Sequence, residues 1–246
     1  MTNNVSILII NPNSTASMTE ALKPLLRDLL HPNLYLDFYT APSSAPKSID
    51  DEETSEASAR ETLPQLLNLL EDRQPCVYAA YLVACYSAHP LTLILRGRLH
   101  VPVLNIFEAS VIRARSLGLP FGIVTTGKYW EGALSAGIAQ IKLGASGEHV
   151  ESIWTHENFV GVRSTGLSAA ELHSTAREEV DRRIMEASAE LIREGAQVVL
   201  LGCAGMSGME EAIMRGARSE GKEVQIIDGV RAGIELLEAW IGIGSY

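Results

Sequence analysis

The sequence predicts an α/β fold of two similar halves, each a mainly parallel sheet flanked by helices. Short apolar runs, mostly β-branched residues and leucine, alternate with longer segments of helical spacing along all 246 residues. That order places a parallel strand beneath each returning helix. The runs are continuously apolar rather than alternating, as strands covered on both faces are. The chain also repeats itself. Residues 7–13 lie over 121–127 with Ile10 on Val124, Cys85 lies over Cys203, and 101–105 lie over 224–228, small insertions accounting for the drift between them.

Taken in order, a strand is expected at 5–10, after an opening Met1-Thr2-Asn3-Asn4 without the basic flank or cleavage site of a secretory leader. A helix at 17–30 and a weaker strand at 34–39 follow. The Pro/Ser segment 40–48 is a loop of a length often used to cover a binding site, and its deletion is expected to leave the protein folded. A helix at 52–70 opens on Asp50-Asp51-Glu52-Glu53, acidic residues that suit the positive end of its dipole. Next come a strand at 77–84, a segment 86–91 able to open a helix, a strand at 101–104 and a helix at 108–117. These form a first half, 1–118, on which the chain's C-terminal helix is expected to pack. The second half, 119–246, reads as strand 121–124, helix 130–142, loop 144–147, weaker strand 150–154, loop 156–168, helix 175–194, strand 198–201, helix 206–216, strand 224–227 and helix 230–240.

Composition narrows the function. Apolar residues at 46% and charged residues at 20% describe an ordinary globular chain. A net charge of -10 argues against nucleic acid, whose phosphates are held by clustered Lys and Arg. No stretch approaches the ~18 apolar residues of a spanning helix, so no membrane partner and a cytoplasmic location are expected. The three cysteines, Cys76, Cys85 and Cys203, are odd in number and lack CxxC spacing, which indicates neither a disulfide framework nor a zinc site. No His/Asp/Glu cluster has metal-ligand spacing and lysines are few, so no metal and no pyridoxal cofactor is expected. A dinucleotide fingerprint would follow the first strand, where Asn11-Pro12-Asn13 stands instead. There is no GxSxG elbow, and Ser207 reads as a helix-start residue. The expected cofactor list is therefore empty.

Cys85 and Cys203 carry the chemistry. Each ends an apolar strand run at an equivalent place in its half, and ligands in such sheets bind beyond the carboxyl ends of the strands. A thiol at a helix N-terminus is drawn toward the thiolate by the macrodipole and nearby N–H groups. One strand-end cysteine is ordinarily a small buried hydrophobe; two at matched positions point to chemistry. A pair of thiols facing across a cleft suits a reaction that takes a proton from one face of a carbon and returns one to the other. Backbone amides after each Cys, and Asn and Thr at strand ends, are the candidates to stabilise the enolate-like charge. Cys76 has no counterpart in the second half and reads as structural. His89 stands near Cys85, while His31, His100, His149, His156 and His173 are scattered and read as surface residues.

Asn11-Pro12-Asn13-Ser14 followed by Met18-Thr19, the strand end Val83-Ala84-Cys85, the strand end Ile123-Val124-Thr125-Thr126, the loop Arg163-Ser164-Thr165-Gly166-Leu167 and the stretch Gly202-Cys203-Ala204-Gly205-Met206 together resemble the hydantoin racemase family, which includes allantoin racemases, in the aspartate/glutamate racemase superfamily. The resemblance covers nearly the whole chain. It implies two pseudosymmetric flavodoxin-like halves with an active-site cleft between them, and a cofactor-free two-base racemisation at the carbon between a ring nitrogen and a carbonyl of a 5-substituted hydantoin or of allantoin. By the same resemblance Cys85 and Cys203 are catalytic. Asn13 and Ser14 bind substrate from the N-terminal motif, Tyr86 and Ser87 from the segment after Cys85, and Thr125 and Thr126 from the second-half counterpart. Gly202 and Ala204 supply backbone around the second thiol. Bacterial members usually read Cys-Phe-Gly/Ser-Asp-Pro-Gly where this chain has Cys85-Tyr86-Ser87-Ala88-His89-Pro90, which is closer to fungal members. The implied partners are a small molecule with a hydantoin-like ring and further copies of the chain in a homo-oligomer.

Other activities remain open at this level: an aspartate- or glutamate-type racemase, a related isomerase or decarboxylase, or a small-molecule-binding protein without turnover. Retention of both cysteines speaks against the last.

Overall fold

A computed structural model describes residues 4–72, 78–141 and 158–243; the expected strand at 150–154 and Cys76 lie outside them. The elements are β1 (Val5–Asn11), α1 (Ala16–Leu25), β2 (Leu34–Thr40), α2 (Glu52–Asp72), β3 (Ala80–Val83), α3 (Pro90–Arg98), β4 (Val103–Asn105), α4 (Ile106–Leu117), β5 (Phe121–Thr125), α5 (Tyr129–Gln140), β6 (Phe159–Ser164), α6 (Glu171–Ser174), α7 (Arg177–Arg193), β7 (Val198–Gly202), α8 (Glu210–Ser219), β8 (Gln225–Asp228) and α9 (Gly229–Ile243). They form two parallel four-stranded sheets, ordered β2-β1-β3-β4 and β6-β5-β7-β8. The second order is the first repeated, strand for strand, which is the repeat read from the sequence.

Contacts divide the chain into one unit of 1–109 with 230–246 and another of 110–229. The division falls inside α4, whose first turn is tied to β4: the Glu108 N–H donates to the Asn105 side chain and Glu108 pairs with Arg96.

In the first unit β1 is a central strand, and its run Ile7–Ile10 is buried on both faces. Such a strand must be apolar at every position, which is why it reads as an unbroken run. Leu8, Ile10, Tyr81 and Val83 meet Ala59 and Leu66 from α2 and Leu91 and Leu95 from α3 on one side of the sheet. Helix α9 belongs to the same unit. A Cβ on Gly233 would lie 2.5 Å from the Leu82 side chain, so the helix rests directly on β3, and Arg231 and Glu238 fasten it to Asp28 and His31. The helix expected at 17–30 ends sooner, at Leu25. Pro24 supplies no N–H and crowds the preceding turn, and only a short 3-10 turn, Arg27–Leu29, continues.

In the second unit β7 occupies the place of β3. Val124, Val199 and Leu201 pack against Val180, Ile184 and Leu191 of α7 and Ile213 of α8. Strand β6 lies within 156–168, a segment expected to be loop. It is an edge strand, with Gly161 at φ 152 opposite a register shift at Phe121/Gly122, and the irregularity erases the apolar run that identifies a strand. Among the described residues no helix is long and apolar enough to cross a membrane.

Candidate active site

In a sheet ordered 2-1-3-4 the connections leave the first and third strands toward opposite faces, and the crevice opens beyond their carboxyl ends. In the first unit those ends are Asn11 and Val83. Asn11 begins a built loop: its Nδ2 donates to the side-chain oxygens of Asn13 at 3.1 Å and Thr19 at 3.0 Å, while its own Oδ1 accepts the Asn13 N–H at 3.1 Å. The Asn13 Oδ1 also accepts the Thr15 N–H at 2.9 Å. Beneath the loop, Ser58 and Thr62 of α2 donate to the Pro12 carbonyl. The Ser14 N–H donates to the Pro46 carbonyl at 2.9 Å and the Thr15 hydroxyl to the Lys47 carbonyl at 2.7 Å. Segment 40–48 is thereby sewn to the N-terminal motif, with Ala41 and Ala45 buried. It is a fixed wall, and deleting it would strip partners from Ser14 and Thr15 as well as any cover.

Cys85 lies two residues beyond Val83, which pairs with Ile10. It is half-buried and its Sγ is 3.4 Å from the Ser87 hydroxyl. The Tyr86 ring packs on Phe107 with centroids 5.4 Å apart, which together with its burial makes Tyr86 a wall of the loop. Helix α3 begins only at Pro90, with His89 as its cap. The macrodipole acts within about one turn of a helix end, so the Cys85 thiol, five residues before α3, lies beyond its reach.

His89 is 1% exposed. Its Nδ1 accepts the Leu91 N–H at 3.3 Å, which places the proton of the neutral ring on Nε2, and Nε2 has no hydrogen-bond partner among the described residues. Burial pushes its pKa from 6.5 down to about 4. The unfolded chain therefore binds a proton between pH 6.5 and 4 that the folded chain refuses. The stability this group contributes is intact above pH 6.5 and is lost as the pH falls through that window, in total about 3 kcal/mol. In urea melts from pH 7.5 to 4, His89→Asn, which keeps a capping side chain, should show a shallower acid loss than the parent by about that amount. Parallel curves for the two proteins would contradict the assignment of a buried neutral imidazole.

In the second unit the matching ends are Thr125 and Gly202. The Thr125 hydroxyl donates to the Gly202 carbonyl at 3.1 Å, and Thr125 and Thr126 are both buried. Their carbonyls accept the N–H groups of Thr165 at 2.8 Å and Gly166 at 3.0 Å. Arg163, near the end of β6, is held by Glu190 of α7 and by Glu194, which caps that helix. The two threonines and the 163–167 motif thus clasp the strand ends together.

Cys203 lies two residues beyond Leu201, which pairs with Val124, the residue that the repeat sets over Ile10. The two cysteines therefore occupy the same register in their sheets. Cys203 caps a single 3-10 turn, Ala204–Met206, and its Sγ accepts the Gly205 N–H at 3.3 Å. Helix α8 starts at Glu210, later than the 206 expected. Ser207 closes the 3-10 turn rather than opening the helix, and its hydroxyl is buried with no partner among the described residues. As at Cys85, a local N–H or O–H, not a helix dipole, faces the sulfur.

His173, expected at the surface, is exposed there, and its ring also borders the site. A Cβ built on Gly205 would lie 3.1 Å from the His173 Nε2 and 3.5 Å from the Cys203 Sγ, so the imidazole and the thiol converge on the space that the missing side chain leaves. No spacing rule joins a residue of α6 to one beyond β7; only the fold brings them together. A polar cavity of about 500 Å³ elsewhere in this unit, lined by Lys128, Glu131, Arg163, Arg182, Arg183 and Glu190 among others, does not include Cys203, and each of its cations is engaged by a carboxylate. Among the described residues no group of three or more His, Cys, Asp or Glu could hold a metal ion.

Residues 7–237 match the family described as Asp/Glu/Hydantoin racemase. The chain is 38% identical to an uncharacterized protein of Schizosaccharomyces pombe, over 98% of this chain and 94% of the relative. It is 26% identical to a hydantoin racemase of Rhizobium meliloti, over 97% and 89% respectively. Among solved structures, an allantoin racemase from Pseudomonas fluorescens superposes with a TM-score of 0.79 at 24% identity, covering 98% of this chain and 92% of that one.

Proposed function

Because the chain belongs to the Asp/Glu/Hydantoin racemase family, whose members are enzymes of the racemase and isomerase kind, we propose that it interconverts the enantiomers of a 5-substituted hydantoin or of allantoin without a cofactor, using Cys85 and Cys203 as the two acid–base groups. The observation that carries this reading is the register equivalence of the two thiols, each two residues past the matching pair in its sheet. A racemase needs two similar groups, one for each face of the stereocentre, and a duplicated half supplies such a pair.

The thiolate of one cysteine takes the proton at the ring carbon. The C–H electron pair moves toward the neighbouring carbonyl as an enolate, and the thiol of the other cysteine delivers a proton to the opposite face. The Gly205 N–H at the Cys203 sulfur and the Ser87 hydroxyl at the Cys85 sulfur favour the thiolate state that each must adopt in turn. Asn13, Ser14, Tyr86, Thr125, Thr126, Gly202 and Ala204 shape the strand ends around them, largely through backbone geometry. Thiols outside any disulfide suit the reducing cytoplasm in which we place the protein.

Loss of optical rotation is the direct assay, run on enantiopure 5-substituted hydantoins, allantoin, aspartate and glutamate. The expected result is decay of rotation for a hydantoin or allantoin, with aspartate and glutamate unchanged. Decay for aspartate or glutamate alone would contradict the substrate assignment.

A further inference from the structure

A two-thiol racemase finishes each one-way turnover with its protons on the wrong sulfurs. The cysteine that took the substrate proton is now a thiol, and the one that gave a proton is a thiolate. Before another molecule of the same hand reacts, the thiolate must regain a proton and the new thiol must lose one, both by exchange with solvent. We propose that His173 serves Cys203 as a proton relay, passing a proton between its sulfur and bulk water across the space over Gly205; this rests on the two-thiol reading above.

The site is built to keep the ring in place. Ser168 and Glu171 form a reciprocal cap on α6: the Ser168 N–H donates to the Glu171 carboxylate at 2.8 Å, and the Glu171 N–H donates to the Ser168 hydroxyl at 3.2 Å. Leu172 is buried in the core with Met206 and fixes this turn against the 3-10 turn that follows Cys203. His173 comes next. Its Nε2 stands over Gly205, where any side chain would press on it at 3.1 Å, while the residue as a whole is exposed to solvent. The Nε2 edge therefore borders the same space over Gly205 as the Cys203 Sγ, where a water can bridge them, and the rest of the ring faces solvent.

The charges around it fit a carrier that is neutral at rest. Partial burial, and then Arg177 at the start of α7, hold the His173 pKa below its ordinary value. Arg177 is itself paired with Asp181 on α7, and Glu171 on the same turn is taken up by the Ser168 cap. As one ring nitrogen takes a proton from bulk water, an O–H bond breaking and an N–H bond forming, the other nitrogen gives its proton through a bridging water to the Cys203 thiolate, where the S–H bond forms, and hydroxide is left in solvent. The reverse sequence deprotonates the thiol. His89 cannot serve Cys85 in this way, because it is sealed from solvent and its Nδ1 is committed to the α3 cap. The two thiols are equivalent in register and different in their access to protons.

The test reads the sulfur rather than the turnover. Alkylation of Cys203 by iodoacetamide is followed from pH 5 to 10 by peptide-resolved mass spectrometry in the full chain and in its His173→Asn and Gly205→Ala variants. His173→Asn should move the midpoint of the profile upward by about one unit, an approximately tenfold loss of reactivity near neutral pH. Gly205→Ala, whose methyl group would lie 3.1 Å from the His173 Nε2 and 3.5 Å from the Cys203 Sγ, should shift it in the same direction. In the racemase assay kcat should fall with KM unchanged for His173→Asn. An alkylation profile unmoved by both substitutions would overturn the pairing of His173 with Cys203, whatever the substrate. A shifted profile in a chain that racemises nothing would uphold the pairing and remove its catalytic purpose.

Discussion

Cys85→Ser and Cys203→Ser should each lower racemisation by about 10²–10⁴-fold, the usual contribution of a general acid–base group. Serine keeps the size and the hydrogen-bonding geometry but is a far weaker acid than a thiol, so it can neither form the anion that removes the proton nor release one readily. Both variants should fold as the parent does, since Cys85 and Cys203 are only half-buried and lie outside any disulfide. Equal losses at two positions so far apart in the chain are not expected of a one-base enzyme, which would tolerate one of the changes. Initial rates of rotation decay, with melting curves as a control on folding, provide the measurement. Racemisation within a few-fold of the parent in either variant would remove that cysteine from the mechanism.

Gly202→Ala should be among the most damaging small changes to the framework. A Cβ there would meet the Val124 carbonyl oxygen at 2.5 Å, the Ile123 Cγ2 at 2.8 Å and the Thr125 Cβ at 3.0 Å. The nearest of these is the backbone of the neighbouring strand, which cannot swing away as the end of a long side chain can. Overpacking of this kind costs about 1–3 kcal/mol, and the fixed partner places this case at the upper end. A fall in Tm of roughly 6–12 °C would follow for a chain of this size. The same substitution pushes on the β5–β7 pairing that sets Cys203 at its height and on the Thr125 hydroxyl bonded to the Gly202 carbonyl. Activity should therefore drop even below the melting range. An unchanged Tm would show that the two strands have more slack than the structure gives them.

The central strands were legible because burial on both faces admits only one kind of sequence, as in Ile7–Ile10 of β1 and Val198–Leu201 of β7. The duplication was legible for the same reason, since matching strands leave matching runs. The edge strand β6 was not: Gly161 at positive φ and the polar Arg163 and Ser164 give it the composition of a loop, and only pairing with β5 makes it a strand. Helix α3 was legible as an opening within 86–91, but not its first residue, which is set by the His89 side chain accepting the Leu91 N–H. At the site, the cysteines announced themselves through their position at strand ends. Their surroundings did not, because the expected helix dipole is replaced at Cys203 by the Gly205 N–H, a contact set by backbone conformation. His173 was illegible in principle, since its approach to Gly205 depends on the packing of α6 on the turn after β7.

The claim that each thiol serves one face of the stereocentre is tested most directly by solvent exchange. Each enantiomer of the active substrate is incubated in deuterium oxide with Cys85→Ser and, separately, with Cys203→Ser, and deuterium at the stereocentre is followed by NMR. A surviving thiolate can still remove and return a proton on its own face. One variant should therefore wash deuterium into one enantiomer without inverting it, and the other variant should do so only for the opposite enantiomer. Exchange of both enantiomers by a single variant, or the same preference in both variants, would contradict the assignment of one cysteine to each face.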